Sequence, residues 1–274
     1  MQLLNIPPAG WTVIYVLITL ILVVLASKTV LGWVFIPTDK SGLVDKKWSL
    51  KGDLPQGRII ATKGEAGTQA QLLAPGLHWF KWWWMYSIKN IDPIKIESGQ
   101  IGVVNAKNGQ TLESGCILSK TVVDAENFQD AAKFLDEGGV MGVQRQFLRN
   151  GIYRINTAMF EINTQSTTII KSGEIGIVTT YDGKQIESGE IAAMEGVKHN
   201  SFQDADMFLN NGGYRGLQQE VLPPGEYFIN TEFAKVEAQE QVFIPIGHVG
   251  VVTAFQWVTR SSAAGERSAA AASE

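Results

Sequence analysis

The stretch Asn211–Thr231 reads NGGYRGLQQEVLPPGEYFINT. Its Pro224-Gly225 pair places a residue with a fixed φ before a conformationally permissive one, which is the chemistry of a tight turn. Apolar residues that favour β-structure flank the pair, so the stretch predicts a β-hairpin. It contains no nucleophile, metal-ligand cluster or phosphate loop. The stretch matters because its pattern occurs more than once in the chain.

An internal repeat covers most of the chain. Residues 98–162 align without a gap with residues 172–236, at a constant offset of 74. The FQDA motif at Phe128–Ala131 meets FQDA at Phe202–Ala205, and Gly151 meets Gly225. An ungapped match of this length indicates a duplication. The recurring glycines and Pro-Gly pairs are therefore predicted to be turn residues of one structural unit; they are Pro75, Gly76, Gly151, Pro224 and Gly225.

The repeat extends towards both ends of the sequence. Pro75-Gly76 lies 149 residues before Pro224-Gly225, and GHVGVV at Gly247–Val252 lies 74 residues after Gly173–Val178. The small, polar segment SSAAGERSAAAASE has no large apolar residue and is predicted to be disordered. The predicted organisation is a membrane anchor (1–38), a linker (39–58), a partial first repeat (59–97), two repeats (98–171 and 172–245), the start of a further unit (246–260) and a disordered tail (261–274). The sequence is expected to be truncated just as that further unit starts.

Each repeat is predicted to be β-rich with one short helix. Ile175–Val178 predicts a strand, and Asp182-Gly183 predicts a hairpin turn into a second strand. Apolar residues at helical spacing predict a helix over Gln203–Leu209. The hairpin of the first stretch comes next in the chain, and then a final strand over Ala234–Glu237. The predicted fold class is an N-terminal transmembrane helix followed by β-rich α+β tandem repeats.

The predicted transmembrane helix rests on Trp11–Ala26, which contains no charged residue. With its uncharged neighbours the segment is long enough to cross about 30 Å of hydrocarbon at about 1.5 Å per residue. Trp11, Tyr15 and Trp33 suit interfacial positions. A cleaved signal peptide is the alternative, with Val24-Leu25-Ala26 as its site, although no basic segment precedes the apolar run. A buried helix of a soluble protein would have to be apolar on every face.

Basic residues follow the apolar segment and are absent before it. The positive-inside rule then predicts a single-pass protein of the bacterial inner (cell) membrane, with its N-terminus outside and its body in the cytoplasm.

Composition gives no sign of a catalytic, metal or cofactor site. The formal net charge of −4 predicts no attraction to nucleic acid. The single cysteine, Cys116, excludes an intrachain disulfide and mildly favours a reducing compartment. It is either palmitoylated or, as its non-basic surroundings indicate, a free structural thiol. His78, His199 and His248 have no metal-ligand spacing, and His78 and His248 are expected to be structural unless they bind a ligand or sense pH.

Two further patterns resemble active-site motifs but are interpreted as structural. Asp204, Asp206 and Glu220 have the spacing of solvated charges on the exposed face of a short helix, and nothing in the sequence indicates a pocket around them. Gly212-Gly213-x-x-Gly216 lacks the Gly-Lys-Ser/Thr of a phosphate-binding loop. The sequence therefore predicts no catalytic residue.

Five aromatic residues occur within Trp79–Trp84. Trp82, Trp83 and Trp84, next to Lys81, are candidates for a membrane contact at the headgroup level, where indole rings are favoured. The alternative is that alternate tryptophans fill a small β core.

The motifs IESGEIGIV, GLQQEVLPPGEYFIN and IPIGHVGVVTA resemble the stomatin–prohibitin–flotillin (SPFH, or band 7) family, in its flotillin-like bacterial branch. The resemblance covers roughly Ile59–Thr253. It implies a membrane-anchored scaffold that forms large homo-oligomers, organises lipid patches and holds client membrane proteins or proteases. The chain departs from the family in that no heptad-repeat coiled coil follows Val252.

The functional expectation is a non-enzymatic scaffold that contacts the lipid bilayer, assembles laterally and organises membrane patches and membrane protein complexes. One alternative is an adaptor that regulates a membrane protease or transporter. Another is an extracytoplasmic ligand-binding module, which requires the opposite orientation.

Overall fold

The structure is a computed structural model that describes residues 8–120, 125–186, 190–193 and 197–253. A helix, α1 (Pro8–Leu31), precedes the rest of the described chain. Most of the described chain after α1 forms three β-rich units with one topology, over residues 34–91, 94–166 and 168–240. These are called units 1, 2 and 3.

The prediction of an N-terminal transmembrane helix was wrong. Within the described residues, no helix is both long enough and apolar enough to span a bilayer. A spanning helix needs about 20 consecutive, predominantly apolar residues to cross about 30 Å of hydrocarbon. The single-pass inner-membrane localisation, with its N-terminus outside and its body in the cytoplasm, depended on that helix and is corrected with it.

Unit 1 contains six strands in two sheets. The strands are β1 (Val34–Ile36), β2 (Ser41–Lys46), β3 (Ile60–Ala61), β4 (Gly67–Gln69), β5 (Gly76–His78) and β6 (Tyr86–Ile91). One sheet has four strands in the order β3-β4-β2-β6, and β1 pairs with β5 in the other. Only β3 and β4 run parallel to each other among these pairs.

Units 2 and 3 repeat this arrangement and add a helix. Unit 2 contains β7 (Ile94–Ile96), β8 (Gln100–Ala106), β9 (Leu118–Ser119), α2 (Ala131–Asp136), β10 (Gly142–Leu148), β11 (Gly151–Tyr153) and β12 (Phe160–Ser166). Unit 3 contains β13 (Thr168–Ile170), β14 (Glu174–Thr180), β15 (Lys184–Gln185), α3 (Ala205–Asn210), β16 (Tyr214–Leu222), β17 (Gly225–Tyr227) and β18 (Ala234–Glu240). Their four-stranded sheets have the orders β9-β10-β8-β12 and β15-β16-β14-β18.

The central strand of each sheet carries a glycine that the packing requires. A Cβ atom at Gly42, Gly102 or Gly176 would lie closer than 3.0 Å to an isoleucine Cδ1, a separation that real Cβ atoms essentially never show. The isoleucines are Ile36, Ile96 and Ile170, each six residues before its glycine. Gly42 lies on β2, so residues 39–58, which were predicted to be a linker, include a strand of unit 1. Unit 1 itself begins at Val34.

The predicted short helix is present, although it begins two residues later than predicted, at Ala205. The predicted helix Gln203–Leu209 is α3, and Asp204 is its N-cap, with Oδ1 accepting from Met207 N at 2.8 Å. Asp130 caps α2 in the same way. These caps satisfy amide groups that the first turn of a helix leaves unpaired.

The Pro-Gly turn joins two sheets and does not form the predicted hairpin. β16 pairs with β14 and β15, whereas β17 pairs with β13. The Tyr227 hydroxyl donates to Pro223 O at 2.9 Å and closes the turn. Tyr153 repeats this bond in unit 2, and His78 Nε2 contacts Ala74 O at 2.7 Å in unit 1. The sequence identified the turn correctly, but turn chemistry does not determine which strand pairs with which.

The Asp182-Gly183 hairpin prediction was also wrong. β15, which follows this turn, pairs in parallel with β16 instead of returning along β14. The Asp182 carboxylate is buried and accepts from Leu118 N at 2.9 Å and Ile117 N at 3.2 Å. Asp182 therefore links unit 3 to unit 2, because both amides belong to the segment that forms β9.

Neighbouring units share their cores. Ile60 and Ala70 of unit 1 pack in one hydrophobic cluster with Phe134 and Phe160 of unit 2. Leu118 of unit 2 belongs to the cluster of unit 3. Each unit thus covers part of the core of the next, as in stacked repeat proteins.

Residues 241–253 come after unit 3 without forming a helix or strand. Val242, Phe243, Val249, Val251 and Val252 are exposed along this segment. The rest of the predicted further unit, residues 254–260, and the predicted disordered tail, residues 261–274, lie outside the described residues.

Candidate contact surfaces

Four aromatic side chains of unit 1 form a continuous stack, called here the aromatic patch: Trp48, Phe80, Trp82 and Trp84. The ring centroids of Trp48 and Trp84 are 5.7 Å apart, and those of Trp84 and Trp82 are 5.9 Å apart. Phe80 meets Trp82 edge-on at 6.0 Å. These spacings are those of favourable aromatic pairs.

The aromatic patch lies on the surface. Trp48, Phe80 and Trp84 are exposed, and the neighbouring Trp83 side chain is 66% exposed. A basic group lies close to the patch: Lys47 precedes Trp48 in the chain, and its Nζ donates to the backbone carbonyl of Trp83 at 3.0 Å. Exposed indoles beside ammonium groups match the chemistry of a lipid headgroup region.

The end of α1 is attached to this patch. Trp82 Nε1 donates to Val30 O at 2.9 Å, and Phe80 N donates to Leu31 O at 2.9 Å. Phe80 has a φ of +61°, a conformation that is unusual for a bulky side chain. The hydrogen bonds thus fix the last turn of α1 against unit 1.

The other aromatic residues singled out in the sequence lie away from this stack in the chain. Trp11 and Tyr15 are exposed on α1, with ring centroids 6.3 Å apart. Trp33 follows α1 and is partly buried. The structure therefore brings Trp82 and Trp84 together with Trp48 and Phe80, which the sequence did not select.

Trp48 was missed because its contact with Trp84 is non-local. Trp48 follows β2 and Trp84 precedes β6. The pairing of these two strands brings the residues together, although they are 36 positions apart in the chain. A signal existed only indirectly: Ile36-x5-Gly42 repeats the Ile244-x5-Gly250 spacing. Recognising that spacing would have placed Trp48 just after a strand of unit 1.

An exposed isoleucine recurs at the equivalent position of every unit. Ile59, Ile117 and Ile191 each precede a buried residue, namely Ile60, Leu118 or Ala192. Two residues after each isoleucine, the chain pairs in parallel with the same position of the neighbouring strand, which is β4, β10 or β16. The three isoleucines are therefore at equivalent positions. This set, called here the isoleucine row, gives the stack a periodic apolar feature that is unnecessary for the cores.

Charged groups of unit 3 have structural partners, one of them in unit 2. Arg145, which is 9% exposed, pairs with Asp206 through Nη1 at 2.9 Å. His199 accepts from Phe202 N through Nδ1 at 3.0 Å, and its Nε2 lies 3.1 Å from Glu220. With Asp204 capping α3, the three carboxylates that were interpreted as solvated charges each have a partner.

Cys116 is a partly buried free thiol. It lines a groove of about 230 Å³ together with Glu113 and Lys120. The hydrogen bond from Lys120 to Glu113, 2.6 Å long, holds the pKa of that carboxyl below its usual range. Exposed pairs of this kind contribute little to stability.

Within the described parts of the chain, no group of three or more His, Cys, Asp or Glu side chains is placed to hold a metal ion. Comparisons of the chain with family models, with curated proteins and with solved structures find no match.

Proposed function

We propose that this chain is a non-enzymatic scaffold that assembles laterally with copies of itself and organises lipid and membrane-protein assemblies at a membrane surface. The isoleucine row is the observation that carries this proposal. Ile59, Ile117 and Ile191 are exposed at one position of a repeated unit. Apolar side chains that recur along a stack suit an interface between copies lying side by side, because each unit then makes the same contact.

The chemistry around the row supports this interpretation. An adaptor for a protease or transporter needs one surface specific to its client, whereas the row repeats one contact three times. Burial of an isoleucine side chain contributes about 1.5–3 kcal/mol. Three such side chains on each copy provide a substantial part of the free energy needed for a stable contact.

Replacing Ile59, Ile117 and Ile191 together with serine should convert an oligomer to a monomer. Native mass measurements on the purified protein test this, since each change removes apolar area from the interface and from no core. The matched control is Ile152→Ser with Ile169→Ser, because these side chains are also exposed but lie on β11 and β13. A monomeric parent protein would contradict lateral assembly, and a discrete complex with another protein would favour the adaptor.

The aromatic patch supplies the proposed lipid contact. Lys47 Nζ bonds to the backbone carbonyl of Trp83, and Lys81 Nζ lies 4.9 Å from the centroid of the Tyr86 ring, so anionic headgroups would meet ammonium groups close to the patch while its rings enter the interface. The proposal needs only peripheral contact.

Changing Trp83 and Trp84 to serine should weaken vesicle binding by about a hundredfold, since loss of two indoles removes about 3 kcal/mol. The test uses protein lacking residues 1–29, which keeps the Val30 and Leu31 carbonyls that bond to Trp82 and Phe80, because the exposed apolar side chains of α1 would adsorb to vesicles independently. Sedimentation with vesicles containing anionic lipid gives the readout. The Ile152→Ser, Ile169→Ser protein should bind like the parent. If the parent does not sediment with vesicles, the lipid contact is refuted.

A further inference from the structure

Each joint between units contains an asparagine that reaches into the preceding unit. Asn156 of unit 2 donates through Nδ2 to Gln69 O at 3.0 Å and Ala70 O at 2.9 Å. Asn230 of unit 3 donates to Gln144 O at 3.3 Å. Both asparagines are buried. The amide group is thus a recurring connector between one unit and the strand β4 or β10 of the unit before it.

Unit 1 has tryptophan at this position. The carbonyl of Trp82 accepts from Met85 N and Tyr86 N, and the carbonyl of Asn156 accepts from Met159 N and Phe160 N in the same turn. Trp82 and Asn156 therefore occupy equivalent positions of the backbone.

The Trp82 side chain binds the end of α1 where Asn156 binds a unit. Its Nε1 donates to Val30 O at 2.9 Å. A Cβ atom at Gly32 would lie 2.9 Å from both Cδ1 and N of Trp82, so the backbone after α1 approaches closely. Lys81 N also donates to Gly32 O at 2.7 Å. The end of α1 thus closes unit 1, as terminal caps do in repeat proteins.

At the opposite end of the stack, no unit among the described residues follows unit 3. Gln219 of unit 3 corresponds to Ala70 and Arg145, because the glutamine before each of them bonds to the carbonyl of a glycine two residues earlier in the same strand. Ala70 and Arg145 are buried beneath the following unit, whereas Gln219 is exposed.

The segment after unit 3 already has the geometry with which a unit begins. His248 N donates to Pro245 O at 3.1 Å, and Glu174 N donates to Lys171 O at the same distance in unit 3. Yet Val252 is 92% exposed, whereas its equivalent in unit 3, Val178, is fully buried. The start of a unit is thus present, but Val252 is not buried as the equivalent residue of a complete unit is.

We infer that the uncovered face of unit 3, centred on Gln219, receives a further unit of the same repeat that offers an asparagine amide at the joint. A second copy of this chain does not fit end to end, because its first unit offers Trp82 covered by α1. The stack consequently grows at one end only. This inference concerns the end of the stack and does not depend on the isoleucine row or on lipid contact.

The test completes the unit that residues 241–253 begin. Residues 180–240 are repeated directly after Thr253, and a reporter thiol is introduced as Gln219→Cys in a Cys116→Ser background. We expect maleimide labelling of the reporter to slow by at least about tenfold in the extended protein. An Asn230→Trp change in the appended copy only should restore rapid labelling. A reporter at the exposed Asn163, as Asn163→Cys, should label equally fast in every protein.

Amide hydrogen exchange identifies the reason for a negative result. Protection of Val249–Thr253 reports that the appended unit has folded. A folded appended unit with rapid labelling of Gln219→Cys would overturn the inference. If the unit does not fold, residues 106–166 are appended instead, and failure of both to protect this segment would also overturn it. Labelling of the unextended protein that slows as its concentration rises would show that a second copy occupies the face, which contradicts the inference.

Discussion

Gly213→Ala should destabilise the protein by about 3 kcal/mol. A Cβ atom at Gly213 would lie closer than 3.0 Å to three ring carbons of Phe208. Phe208 cannot move aside easily, because it is buried and its ring centroid lies 5.3 Å from that of Phe233 and 5.8 Å from that of Phe202. Overpacking of a filled core is destabilising because side chains or backbone must shift. Urea unfolding followed by circular dichroism measures the loss.

The matched control lies in the same stretch. A Cβ atom at Gly225 would lie 3.4 Å from Tyr227, an ordinary contact, so Gly225→Ala should change stability by less than about 1 kcal/mol. In a Phe208→Ala background, Gly213→Ala should become nearly neutral, because the clashing ring is absent. A large loss in that background would show that the glycine is needed for another reason.

Gly213 shows which features of the fold could be predicted from the sequence and which could not. The repeat, the short helix and the turn positions followed from periodicity and from Pro-Gly pairs, since these are local signals. The reason for Gly213 was not visible, because it depends on the ring of Phe208 folding back over the turn. The two hairpin predictions failed for a related reason: a turn reverses the chain locally, but strand pairing is decided by packing of the whole unit.

Unit 1 shows a second limit. From Gly102 to Gly151 the chain takes 49 residues, but from Gly42 to Gly76 it takes only 34, because unit 1 has no helix corresponding to α2. That deletion breaks the constant offset, so only the second half of unit 1 was matched, at 149 residues before unit 3. The aromatic patch was found in part, since Trp82 and Trp84 are close in sequence to each other but not to Trp48. The transmembrane prediction considered the apolar run by its composition, whereas within the described residues no helix is both long and apolar enough to span a bilayer.

Asn156→Ala should destabilise the protein by about 2–3 kcal/mol. Asn156 is fully buried, and its amide nitrogen donates to Gln69 O and Ala70 O. Its Oδ1 accepts from Ala158 N at 3.0 Å. Alanine removes these partners while the groups stay buried, and a buried polar group without a partner is more costly than a lost hydrogen bond in water.

The comparison with Asn230 separates the joint from the turn. Asn230 Oδ1 accepts from Glu232 N at 2.9 Å, so both asparagines support the same turn within their own units. Across the joint, however, Asn230 makes one longer bond of 3.3 Å, whereas Asn156 makes two shorter ones. Asn230→Ala should therefore cost less than Asn156→Ala, and Asn163→Ala, on an exposed edge, almost nothing. Equal losses at Asn156 and Asn230 would mean that the turn accounts for the effect and that the amide bonds across the joint contribute nothing measurable.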